Sequence, residues 1–141
     1  IAVVDGQGGG IGRLIIEKLR SEFKHECTII GLGTNAVATS VMLKAGANDG
    51  ASGENAVVLG VMNADVVAGS VAILAANSYS GEFTPRMAEA IASSAALKIL
   101  IPINRYNIEM CSTNDEPLPQ QADDLVLRAR RIYEGNAYNY R

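Results

Sequence analysis

Ile1-Ala2-Val3-Val4-Asp5-Gly6-Gln7-Gly8-Gly9-Gly10-Ile11-Gly12 opens the chain, and its reading decides the fold. Residues 1–5 read as a buried strand, because Ile1, Val3 and Val4 show no polar alternation. Five glycines in seven positions follow. Beyond them Ile11, Ile15, Leu19 and Phe23 recur every four residues, with Arg13, Glu17, Arg20 and Lys24 off that stripe. Residues 10–23 therefore read as an amphipathic helix. A strand, a glycine turn and a helix in this order let the backbone approach a negative group closely and aim helix N–H groups at it. On this reading the turn offers an anion a set of bare amide hydrogens.

The same alternation continues outward. Residues 27–31 read as a second strand. Gly33-Thr34-Asn35 reads as a capping turn, residues 36–45 as a helix burying Val37 and Val41, and Gly46 as its stop. Residues 47–54 are rich in Gly, Asn and Ser and read as a loop, with a short strand at 56–59. Residues 65–69 read as a strand, 70–76 as a short helix capped by Ser70, and 77–83 as a loop. Thr84-Pro85 is a helix start, with Thr as cap and Pro in the first turn, for a helix reaching residue 95 and burying Met87, Ile91 and Ala95. Residues 97–101 read as a strand closed by Pro102, and 108–111 as an edge strand. A polar loop, 112–119, leads to a helix at 120–134, which buries Ala122, Leu125, Val126, Ala129, Ile132 and Tyr133. The expected fold is α/β: a single doubly wound, mostly parallel Rossmann-like sheet of four or five strands with helices on both faces. It forms one domain over residues 1–141, with 135–141 as a tail.

Composition narrows the partners. The 141 residues are 48% hydrophobic with a mean hydropathy of +0.13, enough for a real core. The net charge is −3 and no basic block occurs, which argues against nucleic acid. Arg128, Arg130 and Arg131 read as a solvated helix face. Cys27 and Cys111 do not form a CxxC pair and there is one His, so buried free thiols and no metal site are expected. No apolar run of roughly 18 residues suggests a membrane span. These features, with no secretion signal, point to the cytoplasm. The chain begins at Ile1 inside an apparent strand, and one or a few upstream residues are expected. Between Cys27 and Pro85 the only charged residues are Lys44, Asp49, Glu54, Asp65 and Glu82, which predicts a homo-oligomer burying part of this neutral face.

Gly6 to Gly12 supports three readings. Its spacing resembles the GxxxGIG cofactor loop of short-chain dehydrogenases, in which glycines admit the pyrophosphate. A P-loop lacks its Lys-Ser/Thr pair, since Arg13-Leu14 follows Gly12. A structural reading needs the glycines only for the turn or for subunit contact. The dinucleotide fingerprint is incomplete: Gly31-Leu32-Gly33-Thr34-Asn35 has no acid for a ribose and no Arg for a 2′-phosphate. None of the five tyrosines has Lys four residues on, so hydride transfer of the short-chain type is not expected. The candidate ligand-binding residues are Gly6, Gln7, Gly8, Gly9, Gly10, Ile11 and Gly12 with Thr34, Asn35, Ser70, Asn104 and Arg105. The ligand is a small phosphate-bearing molecule, NAD(P) or another nucleotide among the candidates. The alternatives are an enzyme on a phosphorylated or carboxylated metabolite, with Asp5 or Glu82 as acid–base group, and a non-catalytic oligomeric subunit. Asp5 also reads as a simple acceptor for loop N–H groups. The loop bearing Asn77-Ser78 and Glu82 could cover a ligand.

Val4-Asp5-Gly6-Gln7-Gly8-Gly9-Gly10-Ile11-Gly12, Gly31-Leu32-Gly33-Thr34-Asn35, Met42-Leu43-Lys44-Ala45-Gly46-Ala47-Asn48 and Ile101-Pro102-Ile103-Asn104-Arg105 stand in this order. So do Ala76-Asn77-Ser78 and Thr84-Pro85-Arg86-Met87-Ala88-Glu89-Ala90-Ile91. Together they resemble a family of small bacterial proteins of unknown function over residues 1–110. The resemblance implies a small Rossmann-like protein and carries no activity, substrate or catalytic residue.

Overall fold

Five parallel strands, β1 (Ala2–Asp5), β2 (Ile30–Gly33), β3 (Asp49–Ser52), β4 (Val66–Ser70) and β5 (Leu97–Ile101), form one sheet in the order 3-2-1-4-5. The computed structural model describes residues 1–111 and 115–135. Helices α1 (Gly10–Phe23), α2 (Ala36–Lys44), α3 (Glu54–Met62), α4 (Pro85–Ser93) and α5 (Leu118–Tyr133) alternate with the strands. Helices α1, α2 and α5 share a core with one face of the sheet, around Val3, Ile15, Leu19, Phe23, Met42 and Leu125. Helices α3 and α4 cover the other, around Val4, Leu32, Val57, Phe83 and Ile91. The chain is thus doubly wound and Rossmann-like.

Register puts the functional residues on one rim. Asp5 pairs with Gly33, Gly33 with Ser52, and Ser70 with Ile101, so the carboxyl ends of the strands lie together. This is where open parallel sheets present ligands. Behind that rim, β1 is buried at every position, as its unbroken apolar run requires.

Several sequence expectations need correction. Residues 49–52 form β3 rather than a loop, and 56–59 lie inside α3 rather than in a strand. Strand β3 is an edge strand, so Asp-Gly-Ala-Ser suffices there without an apolar run. Helix α3 is apolar on nearly every side, which hides the helical period. Strand β2 starts at Ile30, three residues later than expected, because it pairs from Ala2↔Ile30 onward. Helix α2 buries Ala38, Thr39 and Met42; Val37 is 63% exposed. Residues 71–74 make a 3₁₀ turn, and Ser70 makes no side-chain cap. Residues 108–111 add no strand to the sheet. Residues 112–114 of the polar loop and 136–141 of the tail lie outside the described residues. Both cysteines are free, with Cys27 partly buried and Cys111 exposed rather than both buried.

Arg130 is not a solvated surface group. Its guanidinium lies 4.2 Å over the Phe23 ring and pairs with Glu22 and Glu26, each at 2.9 Å. It also donates to the Glu22 carbonyl oxygen, so it covers the end of α1 with a cation. Phe23 meets Tyr133 edge-on at 5.5 Å, and Tyr133 itself stays 53% exposed.

Gly9 caps α1 in the left-handed region at φ +72°, and a Cβ there would lie 2.8 Å from the Ala38 Cα. The clash is with backbone, so neither partner has a rotamer to yield. Gly9→Ala therefore loses about 2 kcal/mol or more. The midpoint of urea unfolding should fall accordingly while the slope stays unchanged.

Candidate functional site

The glycine turn is built around Asp5, at the end of β1. Its side chain is 2% exposed. One carboxylate oxygen accepts from Gly6 N at 2.8 Å and the other from Gly12 N at 2.7 Å. Ile11 N–H and the Tyr79 hydroxyl also lie close enough to favour its charged form. Burial is the largest influence on this carboxyl and pushes it above the usual aspartate range, against the pull of those donors. Gly9 N is bound to Gly6 O at 3.0 Å, and Gln7 stands in the left-handed region at φ +48°. The expected set of bare amides is thus mostly engaged. Among the described residues, the N–H groups of Gly8 and Gly10 in the turn have no protein acceptor.

Thr34 and Asn35 converge with the turn on a single acid, Glu82. Its Oε1 accepts from Gln7 N at 3.0 Å, Thr34 Oγ1 at 2.5 Å and Asn35 Nδ2 at 2.7 Å. Burial raises the Glu82 carboxyl, but the bonds from Thr34, Asn35 and Gln7 together outweigh it and hold it below the ordinary glutamate range. Asn35, not Thr34, caps α2: its Oδ1 accepts from Ala38 N at 2.9 Å.

The turn also borders a cavity of about 390 Å³, lined by Gly6 to Ile11 with Tyr79, Ile103, Arg105, Tyr106 and Leu118. It joins a second cavity of about 410 Å³ through Ile11, Ile103, Arg105 and Leu118. Arg105 is exposed, and its guanidinium makes no hydrogen bond or ion pair among the described residues. Tyr106 stacks on Tyr79 at 5.0 Å and 28°, and both have left-handed backbones, at φ +56° and +55°. Tyr106 Oη also reaches Gln7 Oε1 at 3.4 Å.

The structure therefore brings Gly6 to Ile11 and Arg105 to one cavity, and sets Thr34, Asn35 and the same Gln7 around Glu82. Asn104 lines the second cavity while its Oδ1 accepts from Met110 N at 3.0 Å. Ser70 is fully buried and bonds the Tyr79 hydroxyl at 2.8 Å, beneath the cavity rather than in its wall. Gly6 and Gly12 are buried in the turn. Sequence reasoning missed Tyr79 and Tyr106. Their one signal is position, since each lies in the connection after a strand that ends on the ligand rim.

A family model described as a domain of unknown function, DUF3842, matches residues 1–134. The chain belongs to the DUF3842 family. No curated protein and no solved structure matches it. Among the described residues this DUF3842 chain has no cluster of His, Cys, Asp and Glu able to hold a metal, and no helix long and apolar enough to cross a membrane.

The lowered Glu82 carboxyl sets a pH dependence. A group ionised more readily in the folded than in the unfolded chain stabilises the fold above its unfolded pKa. That contribution is lost as pH falls through the folded value. The stability gap between wild type and Glu82→Gln should accordingly be full at neutral pH and shrink below the usual glutamate range. Urea titrations from pH 7 down to pH 3 read it.

Proposed function

We propose that this chain binds a small phosphate-bearing ligand, a nucleotide or sugar phosphate, in the cavity between the glycine turn and Arg105. One observation carries the reading. Gly8 and Gly10 have unpartnered N–H groups, and a Cβ built on either meets nothing within 4 Å. Neither has a positive φ. The fold has no evident need of glycine at these two positions, whereas an anion pressed against the backbone does. Arg105 supplies the countercharge in a geometry that suits phosphate. Tyr106, braced on Tyr79, offers an aromatic surface for the group the phosphate carries. Asp5 accepts from Gly6 and Gly12 N–H, and Glu82 from Gln7, Thr34 and Asn35, so internal hydrogen bonding rather than acid–base catalysis accounts for both.

In thermal denaturation, millimolar adenine nucleotides, NAD(P) or sugar phosphates should raise the melting temperature of wild type by mass action. Arg105→Gln should weaken the binding by about tenfold or more, the worth of one charge-assisted contact. Gly10→Ala should leave the unliganded melting temperature unchanged and weaken binding as well. No shift with any of these ligands, or equal binding by Arg105→Gln, overturns the reading.

We further infer a homo-oligomer, from side chains around the open edge of the sheet. Val37 and Leu43 on α2 are 63% and 41% exposed, and Leu59 and Met62 on α3 are 52% and 66% exposed. Both helices flank β3, which has no partner on its outer side among the described residues. Apolar groups this exposed, in a stretch this poor in charge, fit a contact between copies. Light scattering should give a multiple of the 14.8 kDa chain mass, reduced to one chain by Met62→Glu with Leu59→Glu.

A further inference from the structure

The three groups around Glu82 form a hole for an anion. Gln7 N–H, Thr34 Oγ1–H and Asn35 Nδ2–H all point at one carboxylate oxygen. No cation contributes to holding the acid there, which is the work of neutral donors alone. They stand at the carboxyl ends of β1 and β2. None depends on Glu82 for its position. Asn35 is fixed by its bond from Ala38 N and by donating to Gln7 O at 3.0 Å. Thr34 is fixed by its own N–H, bonded to Asp5 O at 3.1 Å. Gln7 is fixed by the turn.

Glu82 is also the movable partner. It follows Gly81, which is exposed with φ +91°, and its own residue is only half-buried. Its neighbours in the segment are anchored without it. Phe83 is fully buried, Tyr79 is 3% exposed, and Ser78 Oγ donates to Ala72 O at 2.7 Å. One side-chain rotation empties the hole while the backbone stays in place. Among the described residues the Oε2 of Glu82 makes no bond to the cradle, so the hole recognises a single acidic oxygen.

We propose that Gln7, Thr34 and Asn35 form a second anion-binding subsite, which Glu82 fills when no ligand is present and which takes a carboxylate or phosphate group from outside. This subsite shares Gln7 with the Arg105 cavity, whose lining includes neither Thr34 nor Asn35. A ligand with two acidic groups would engage both, and one with a single acidic group would choose between them.

The test is replacement of the missing side chain by a free anion. Glu82→Ala, in the whole chain, loses stability and opens the hole. Sodium acetate and inorganic phosphate are then titrated at constant ionic strength, with chloride as the reference salt. Acetate or phosphate should raise the melting temperature of Glu82→Ala by several degrees more than chloride does, and more than it raises wild type. Rescue by acetate alone assigns a carboxylate subsite, and rescue by phosphate assigns a phosphate subsite. Should Glu82→Ala not fold, Glu82→Ser also removes the carboxylate and opens the hole, and the same excess over chloride is required of it. Equal response to all three salts overturns the proposal and leaves Glu82 as a tether. Repeating the titration with Arg105→Gln added separates the two sites. Rescue that survives this change supports the Glu82 hole even where the Arg105 cavity binds nothing, and rescue that vanishes with Arg105 overturns a separate subsite.

Discussion

A carboxylate buried at the end of the first strand organises everything above the sheet. Asp5 accepts from Gly6 and Gly12 and so fastens both ends of the glycine turn to β1. Burying it is costly, as its raised carboxyl records, and the convergent donors offset that cost. In a dinucleotide-binding fold the first helix aims its N-terminal amides at an external pyrophosphate. Here an internal acid already holds the innermost of them. The amides without an acceptor among the described residues are the outer pair at Gly8 and Gly10, which line the same cavity as Arg105.

The second consequence is crowding on one side. The 77–84 segment reaches Thr34 and Asn35, at the rim of β1 and β2, through the Glu82 carboxylate. The same segment sets Tyr79 beneath the turn, where a Cβ on Gly6 would come within 3.1 Å of its ring. Gln7, Tyr79 and Tyr106 all carry left-handed backbones, each an unfavourable conformation for its residue type. Such conformations persist where surroundings over-determine them. Stacking of the two rings, the Ser70 bond and the Tyr106–Gln7 contact do so here.

Much of this frame was legible in the residues. The apolar run at β1, the four-residue stripe of α1, the Thr84-Pro85 start of α4 and the β5 run each carry one strong local signal, and each is found. Where local and tertiary demands diverge, the residues misled. Strand β3 needs only backbone bonds to β2, so Asp49 to Ser52 looks like a loop. Val37 looks like core and points outward, while Thr39 is buried because Ser52 and Asn35 O satisfy its hydroxyl. The candidate site was legible at its turn and at Arg105. The Glu82 node was not, since it joins residues 47 and 48 positions apart through a segment without regular period.

The end of the sheet opposite the ligand rim has a different character. Arg130 stacks on Phe23, pairs with Glu22 and Glu26, and thereby locks the tail of α1 to α5. A clamp of that kind makes the bottom of the molecule a stiff plinth. On the proposed function, a guest would be met by side chains turning over this floor rather than by layers sliding past one another.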